Sequence, residues 1–253
     1  MVMEESLQRK YLYTLSWWYL GPLLVFYLTF VLKIGPSFMK NRPAYQLKTV
    51  LFLYNVAQII SCIYIIIKAW NFSQWNILNF KNCNLIYYTA ERAPEYNDVT
   101  STAWFVKNFE LVETVLFVLR KKQNQVTALH IFHHIAVITL GYYCFHFLPV
   151  EAILFPMSLN CFVHIIMYFY YLMAAVLNAQ IMRRFVFLKK SITIIQMIQF
   201  FILLVQTGVQ LIFCHQTVTG TLVFVYAFSV VIIFYGFWDF YQKAYKETPR
   251  KAA

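Results

Sequence analysis

Three imidazoles fall within five residues at His130-Ile131-Phe132-His133-His134, inside an otherwise apolar run. On an α-helix His130, His133 and His134 are related by three and four residues, so they share one face about 100° wide. Imidazole can ligate a metal, or act as acid, base or nucleophile near neutral pH. A single histidine here would most often be a hydrogen-bonded core residue. Three on one face point to chemistry.

Partners for these rings stand on neighbouring stretches. Asn160, His164, Met167, Tyr168 and Tyr171 recur at i, i+4, i+7, i+8 and i+11, a narrow polar and aromatic stripe on an apolar helix. Such a stripe can be hydrogen-bonding glue between helices. With His164 on it, a chamber shared with the histidine trio is the stronger expectation. Gln196, Gln199, Gln206 and Gln210 fall within about 80° of one another, with Thr193 at one end. They serve either to bind neighbouring helices or to form a polar wall along which the head group of a long ligand enters. Lys107, Glu110 and Thr114 share a face, with Glu113 on its flank. They must turn inward, because lipid exposure would cost each charge a few kcal/mol. Lys107 and Glu110 are spaced to pair, either as a lock on the helices or as an electrostatic wall around a polar chamber.

The elements that hold these residues are set by composition. The chain has 253 residues, is 61% hydrophobic and 12% charged, and has a mean hydropathy of +0.59. That excludes an ordinary water-soluble domain and predicts a polytopic all-α membrane protein. Apolar runs near the ~20 residues needed to cross a bilayer span 16–32, 50–67, 130–148, 153–177, 192–213 and 222–237, and a shorter, charged run spans 104–119. Basic residues decide whether the charged run crosses. Clusters follow the first run (Lys33, Lys40, Arg42, Lys48), the third (Arg120, Lys121, Lys122), the fifth (Arg183, Arg184, Lys189, Lys190) and the last (Lys243, Lys246, Arg250, Lys251). The connections His146 to Glu151 and Cys214 to Thr219 hold no Lys or Arg. Only seven spans with the N-terminus outside put every cluster on the cytoplasmic side. The net charge of +11 is then explained by the anionic cytoplasmic leaflet and gives no reason to propose nucleic acid.

The first run is too long for a cleavable signal peptide and is expected to anchor. Gly35-Pro36 and Arg42-Pro43 are expected to punctuate a cytoplasmic turn. The connection from Lys68 to Ala103 is the longest, large enough for a lid or small subdomain. Cys62, Cys83, Cys144, Cys161 and Cys214 form no CxxC pair and are expected to pack as small apolar groups. Asn71-Phe72-Ser73 is a glycosylation triplet on the expected luminal side, so close to the membrane that it should be unused. No repeat interrupts the chain, which reads as one bundle over 1–253.

Two other chemistries fit parts of the pattern. HxxHH resembles one box of the membrane di-iron desaturases and hydroxylases, but those need several boxes, and only His146, His164 and His215 remain. Seven spans with an external N-terminus is also a receptor topology. The inward acid-base density on four successive helices and the very short external tail speak against it.

In order, KNFELVET, HIFHH, NCFVHIIMYFYY and TIIQMIQ resemble the signature motifs of the very-long-chain fatty acid elongases, the ELO-type β-ketoacyl-CoA synthases of the endoplasmic reticulum. The likeness runs from Asn41-Arg42-Pro43 through Tyr54-Asn55 to the last span. Glu113 stands where that family usually has Asp, and Val106 where a serine is common. The resemblance implies a condensing enzyme that joins malonyl-CoA to a long-chain acyl-CoA, releases carbon dioxide and adds two carbons, without a cofactor or metal. It implies six helices in a ring around an acyl tunnel, with the first helix peripheral. The expected site is His133 as nucleophile with His164 opposite, and His130 and His134 with Asn160 and Tyr168 fixing tautomers and stabilising the oxyanion. Lys107, Glu110, Glu113, Thr114, Met167, Tyr171, Thr193, Gln196 and Gln199 would support them. No cysteine sits in an electropositive pocket of the kind that activates a thiol. Membrane lipid, the reductases and dehydratase of the elongation cycle, and a second copy of the chain are the expected partners. A luminal N-terminus, a cytoplasmic C-terminus and the terminal Arg250-Lys251-Ala252-Ala253, which resembles a dilysine retrieval signal, point to the endoplasmic reticulum membrane. A length ruler is expected near Leu148, Val150 and Phe213.

Overall fold

The structure, a computed structural model, describes residues 17–81, 92–147, 151–214 and 220–246. Its regular elements are helical. In chain order they are α1 (Trp17–Thr29), α2 (Gly35–Met39), α3 (Lys48–Phe72), α4 (Ala93–Leu119), α5 (Ala128–Phe147), α6 (Leu154–Val176), α7 (Ala179–Arg184), α8 (Val186–Phe213) and α9 (Gly220–Tyr245). Among the described residues, five segments are long and apolar enough to cross a membrane: Trp18–Met39, Lys48–Phe72, Glu151–Val176, Phe187–Phe213 and Val223–Tyr245. Ala128–Cys144 of α5 is a shorter apolar helix. At 27 residues α4 has the length, but its inward charges keep it out of the apolar class. His215, Cys83, Leu148, Val150, the N-terminal tail and Arg250 to Ala253 lie outside the described residues, as does the side chain of His146.

Two expected connections are helix instead. Gly35-Pro36 makes no turn: a π turn over Phe30–Ile34 joins α1 to α2, with the Gly35 N–H bonded to the Phe30 carbonyl five residues back. Widening the helix there accommodates Pro36, which lacks an N–H and whose ring crowds the carbonyl four residues earlier. The chain turns only after Met39. The stretch 93–103 is also helical, starting at Pro94 in the first turn with Glu95 beside it. Its hydroxyl-rich sequence hides the helix from a hydropathy reading, yet Tyr96, Val99, Thr100 and Ala103 are buried.

The chain divides into two compact units. The first comprises Met1–Leu47 and Ile86–Pro149, the second Lys48–Leu85 and Val150–Ala253. In the first, Leu20, Tyr27 and Val31 of the first helical segment pack with Trp104 and Leu111 of α4 and Ile138 of α5 in one buried cluster. The first helical segment lays one face, with Leu20, Tyr27 and Val31, on this core and leaves Trp18, Val25 and Phe26 exposed. Trp104 Nε1 donates to the Ile138 carbonyl at 3.4 Å, joining α4 to α5. At Gly35 a methyl group would stand 2.7 Å from Val118 Cγ1 and 2.9 Å from the Phe30 carbonyl oxygen, so only glycine lets the backbone approach α4 this closely. After α4, Lys121 takes a left-handed conformation (φ 55°), and Lys122 N–H bonds back to the Phe117 carbonyl at 2.9 Å, a Schellman close. Lys121 Nζ reaches the Lys40 carbonyl at 3.5 Å, and Tyr45 N–H bonds to the Leu119 carbonyl at 3.1 Å. The basic turns at 40–42 and 120–122 therefore lie at one end of this unit, as the charge pattern requires.

In the second unit α3 packs on α6, α6 on α8 and α8 on α9. Phe200 and Phe237 meet at 5.2 Å between the last pair. The Lys190 ammonium lies 5.7 Å from the Tyr241 ring, putting the start of α8 beside the end of α9. At the other end of α8, Cys214 is disulfide-bonded, where apolar packing alone was expected. Cys62, Cys144 and Cys161 are not in disulfides, and the first and last are buried as expected.

Candidate active site

In the first unit, Thr127 accepts from the His130 backbone N–H at 3.2 Å and starts α5 in the manner of an N-cap. From that start the helix presents its histidines together: His130 and His134 have ring centroids 4.5 Å apart, and His133 and His134 5.6 Å. His134 is buried and Nδ1 of His133 is enclosed by protein. The face of α4 opposite carries Thr114, fully buried, whose Oγ1 lies 2.9 Å from His130 Nε2. Phe117, one turn on, places its ring 5.5 Å from that of His130. One turn before Thr114 is Glu110, 1% exposed, paired with Lys107 Nζ at 2.6 Å. Glu113 is buried on the flank. The spacing argument thus placed Lys107, Glu110, Glu113 and Thr114 correctly on an inward face. Among the described residues no group of three His, Cys, Asp or Glu is arranged to hold a metal ion.

In the second unit α6 buries Met167, Tyr168 and His164, while Tyr171 and Asn160 are half-buried. The His164 and Tyr168 rings are edge-on at 5.6 Å, and Tyr168 and Tyr171 at 6.2 Å. Two glutamines of α8 take the first of the two expected roles, binding neighbouring helices. Gln196 Nε2 contacts Met167 Sδ at 3.7 Å, Gln206 Nε2 donates to the Ala152 carbonyl at 2.9 Å, and both therefore tie α8 to its neighbours. Gln199 and Thr193 are buried, Thr193 Oγ1 bonding within its own helix to the Lys189 carbonyl at 3.2 Å.

The four ordered motifs lie between residues 107 and 199, and the likeness that they carry extends well beyond them. The model of the ELO: GNS1/SUR4 family matches residues 12–253. The chain belongs to the ELO family. The very long chain fatty acid elongase F of Drosophila melanogaster is 34% identical over 238 residues, covering 91% of this chain and 90% of that protein. Very long chain fatty acid elongase 2 of Mus musculus is 30% identical over 234 residues, covering 91% and 78%. Very long chain fatty acid elongase 1 of Homo sapiens is 34% identical over 181 residues, covering 70% and 63%.

In this ELO-family chain, two contributions escaped the spacing argument. Tyr27 of α1 places its hydroxyl 2.9 Å from Thr114 Oγ1. On α3, Gln58 Nε2 donates to the Tyr54 hydroxyl at 3.0 Å, and the Tyr54 ring meets Tyr168 edge-on at 6.0 Å. Asn55 and Gln58 carried a readable signal, since two amides three residues apart in an apolar span must face protein. Tyr27 carried none, because tyrosine is common in such spans.

Proposed function

We propose that this ELO-family chain is a very-long-chain 3-oxoacyl-CoA synthase, condensing malonyl-CoA with a long-chain acyl-CoA. The observation that carries the reading is the histidine triplet itself: three adjoining imidazoles on one face of α5, with a buried hydroxyl on Nε2 of the first. In the first half-reaction His133 attacks the thioester carbonyl carbon. The C–S bond breaks, an acyl-imidazole forms, and the imidazole proton leaves with CoA as its thiol. In the second, malonyl-CoA loses carbon dioxide and its C2 carbanion attacks the acyl carbon. The C–N bond breaks, the imidazole regains a proton from solvent, and a β-ketoacyl-CoA two carbons longer departs.

His164 is the second imidazole of the reaction, as base or as stabiliser of the enolate. His130, His134, Asn160 and Tyr168 orient and donate to the developing oxyanion, and the Lys107–Glu110 pair keeps their surroundings ordered. Thr193, Gln196 and Gln199 face the head group of the entering thioester. Arg184, Lys189 and Lys190 suit the CoA phosphates. A disulfide at one end of α8 and lysines at the other support an oxidising lumen on the Cys214 side and cytoplasm on the Lys190 side, hence the endoplasmic reticulum membrane.

The test is malonyl-CoA incorporation by purified protein across a panel of acyl-CoA lengths, with intact-mass analysis after acyl-CoA alone. Two-carbon extension, an acyl adduct with free CoA released, and loss of both in His133→Ala are expected. Normal turnover by His133→Ala overturns the nucleophile assignment. Oxygen-dependent desaturation with iron and an electron donor, in place of extension, overturns the reaction class.

A further inference from the structure

The hydroxyl of Tyr27 is buried, and its only hydrogen-bond partner among the described residues is Thr114 Oγ1 at 2.9 Å. Thr114 is itself fully buried and lies 2.9 Å from His130 Nε2. Three groups on three helices thus form a line from α1 through α4 to α5. Proton counting gives the line a direction. A buried phenol must place its one O–H proton on an acceptor, and Thr114 Oγ1 is the one within reach. Thr114 then accepts from Tyr27 and has a single proton of its own to give. The acceptor at its other side is His130 Nε2. A ring nitrogen that accepts carries no proton, so the His130 proton resides on Nδ1.

We propose that Tyr27 is a positioning residue for the histidine site: acting through Thr114, it holds His130 as the Nδ1–H tautomer, with the ring oriented by its Nε2 and its N–H turned to the reaction. Each other direction costs an unmade hydrogen bond: with His130 Nε2–H donating to Thr114 and Thr114 to Tyr27 the phenol proton has no acceptor, and with both neighbours donating to Thr114 its own buried proton has none among the described residues. The first helix, a membrane anchor on hydropathy alone, thereby acts on the catalytic histidines without touching substrate. The role in turnover rests on the condensing reaction proposed above, whereas the tautomer itself does not.

The test pairs a spectrum with kinetics on the full-length protein in detergent. Ring 15N shifts of His130, assigned by comparison with His130→Asn, report which nitrogen carries the proton. Wild type should show a single Nδ1–H form. Tyr27→Phe, which keeps the ring and removes the donor, should show both tautomers, and kcat should fall about three- to tenfold with KM for acyl-CoA unchanged. Its melting midpoint should stay within about 4 °C of wild type. Thr114→Val should reproduce the spectral change, and Thr114→Ser, which keeps the hydroxyl, should retain the single tautomer; this pair carries the test if Tyr27→Phe does not fold. An Nε2–H form in wild type, a single tautomer surviving Tyr27→Phe, or a tautomer change without a change in kcat overturns the proposal. Absence of malonyl-CoA condensation by wild type would sink the proposed function while the spectrum still decides the tautomer.

Discussion

Gln58 and Tyr54, one turn apart on α3, are joined by a 3.0 Å hydrogen bond from the amide Nε2 to the phenol oxygen. Gln58 is 1% exposed, and the ring it holds packs edge-on against Tyr168 of the His164 stripe. A buried amide between apolar helices usually contributes only ~1 kcal/mol to their association. If this one orients the Tyr54–Tyr168 pair for the reaction, Gln58→Leu should lower the rate of acyl extension about tenfold while moving the melting midpoint by only about 2–4 °C. Parallel assays of extension and thermal unfolding separate the two effects. A rate loss no larger than the stability loss would reduce Gln58 to glue.

Gly35 should tolerate no side chain. Gly35→Ala forces a methyl group against Val118 and the Phe30 carbonyl oxygen, and overpacking of this kind costs about 1–3 kcal/mol. At Gly208 of α8 a methyl group meets nothing within 4 Å, and Gly208→Ala should be neutral or stabilise by up to about 1 kcal/mol. Thermal unfolding of the two variants side by side checks the contrast.

The Lys107–Glu110 pair should show strong coupling. Lys107→Met leaves the Glu110 carboxylate buried without its cation, a loss of about 3–5 kcal/mol for a buried pair. Lys107→Met combined with Glu110→Gln should recover most of it. A double-mutant cycle in detergent measures the coupling, and additive effects would show that the pair does not lock the unit.

Asn71 should carry no glycan. It sits in the last turn of α3, and the hydroxyl of Ser73, which completes the triplet, is buried and donates to the Trp70 carbonyl at 3.0 Å. Glycosidase treatment of protein from eukaryotic cells should leave its mobility unchanged.

Much of this molecule was written in its periodicity. Residues such as Lys107, Glu110, Thr114, His164 and Tyr168 can only face protein in a bilayer, because lipid offers them no partner. Spacing along a helix then names their shared face. Helix ends were less legible where composition and structure disagree. Pro36 reads as a stop but is absorbed by a π turn, and 93–103 reads as loop although its hydroxyls bond within the helix, as Thr100 does to the Tyr96 carbonyl at 2.8 Å.

Sequence by itself therefore determined the all-α membrane class, the inward faces and the gathering of the histidine triplet on one face of α5, since each follows from local period and from the cost of burying charge. Tertiary structure decided which hydroxyl meets which imidazole. Tyr27 lies 87 residues from Thr114, and no local rule ties them. Only the packing of α1 against α4 brings a phenol from the first helix within hydrogen-bond reach of the side chain that holds His130.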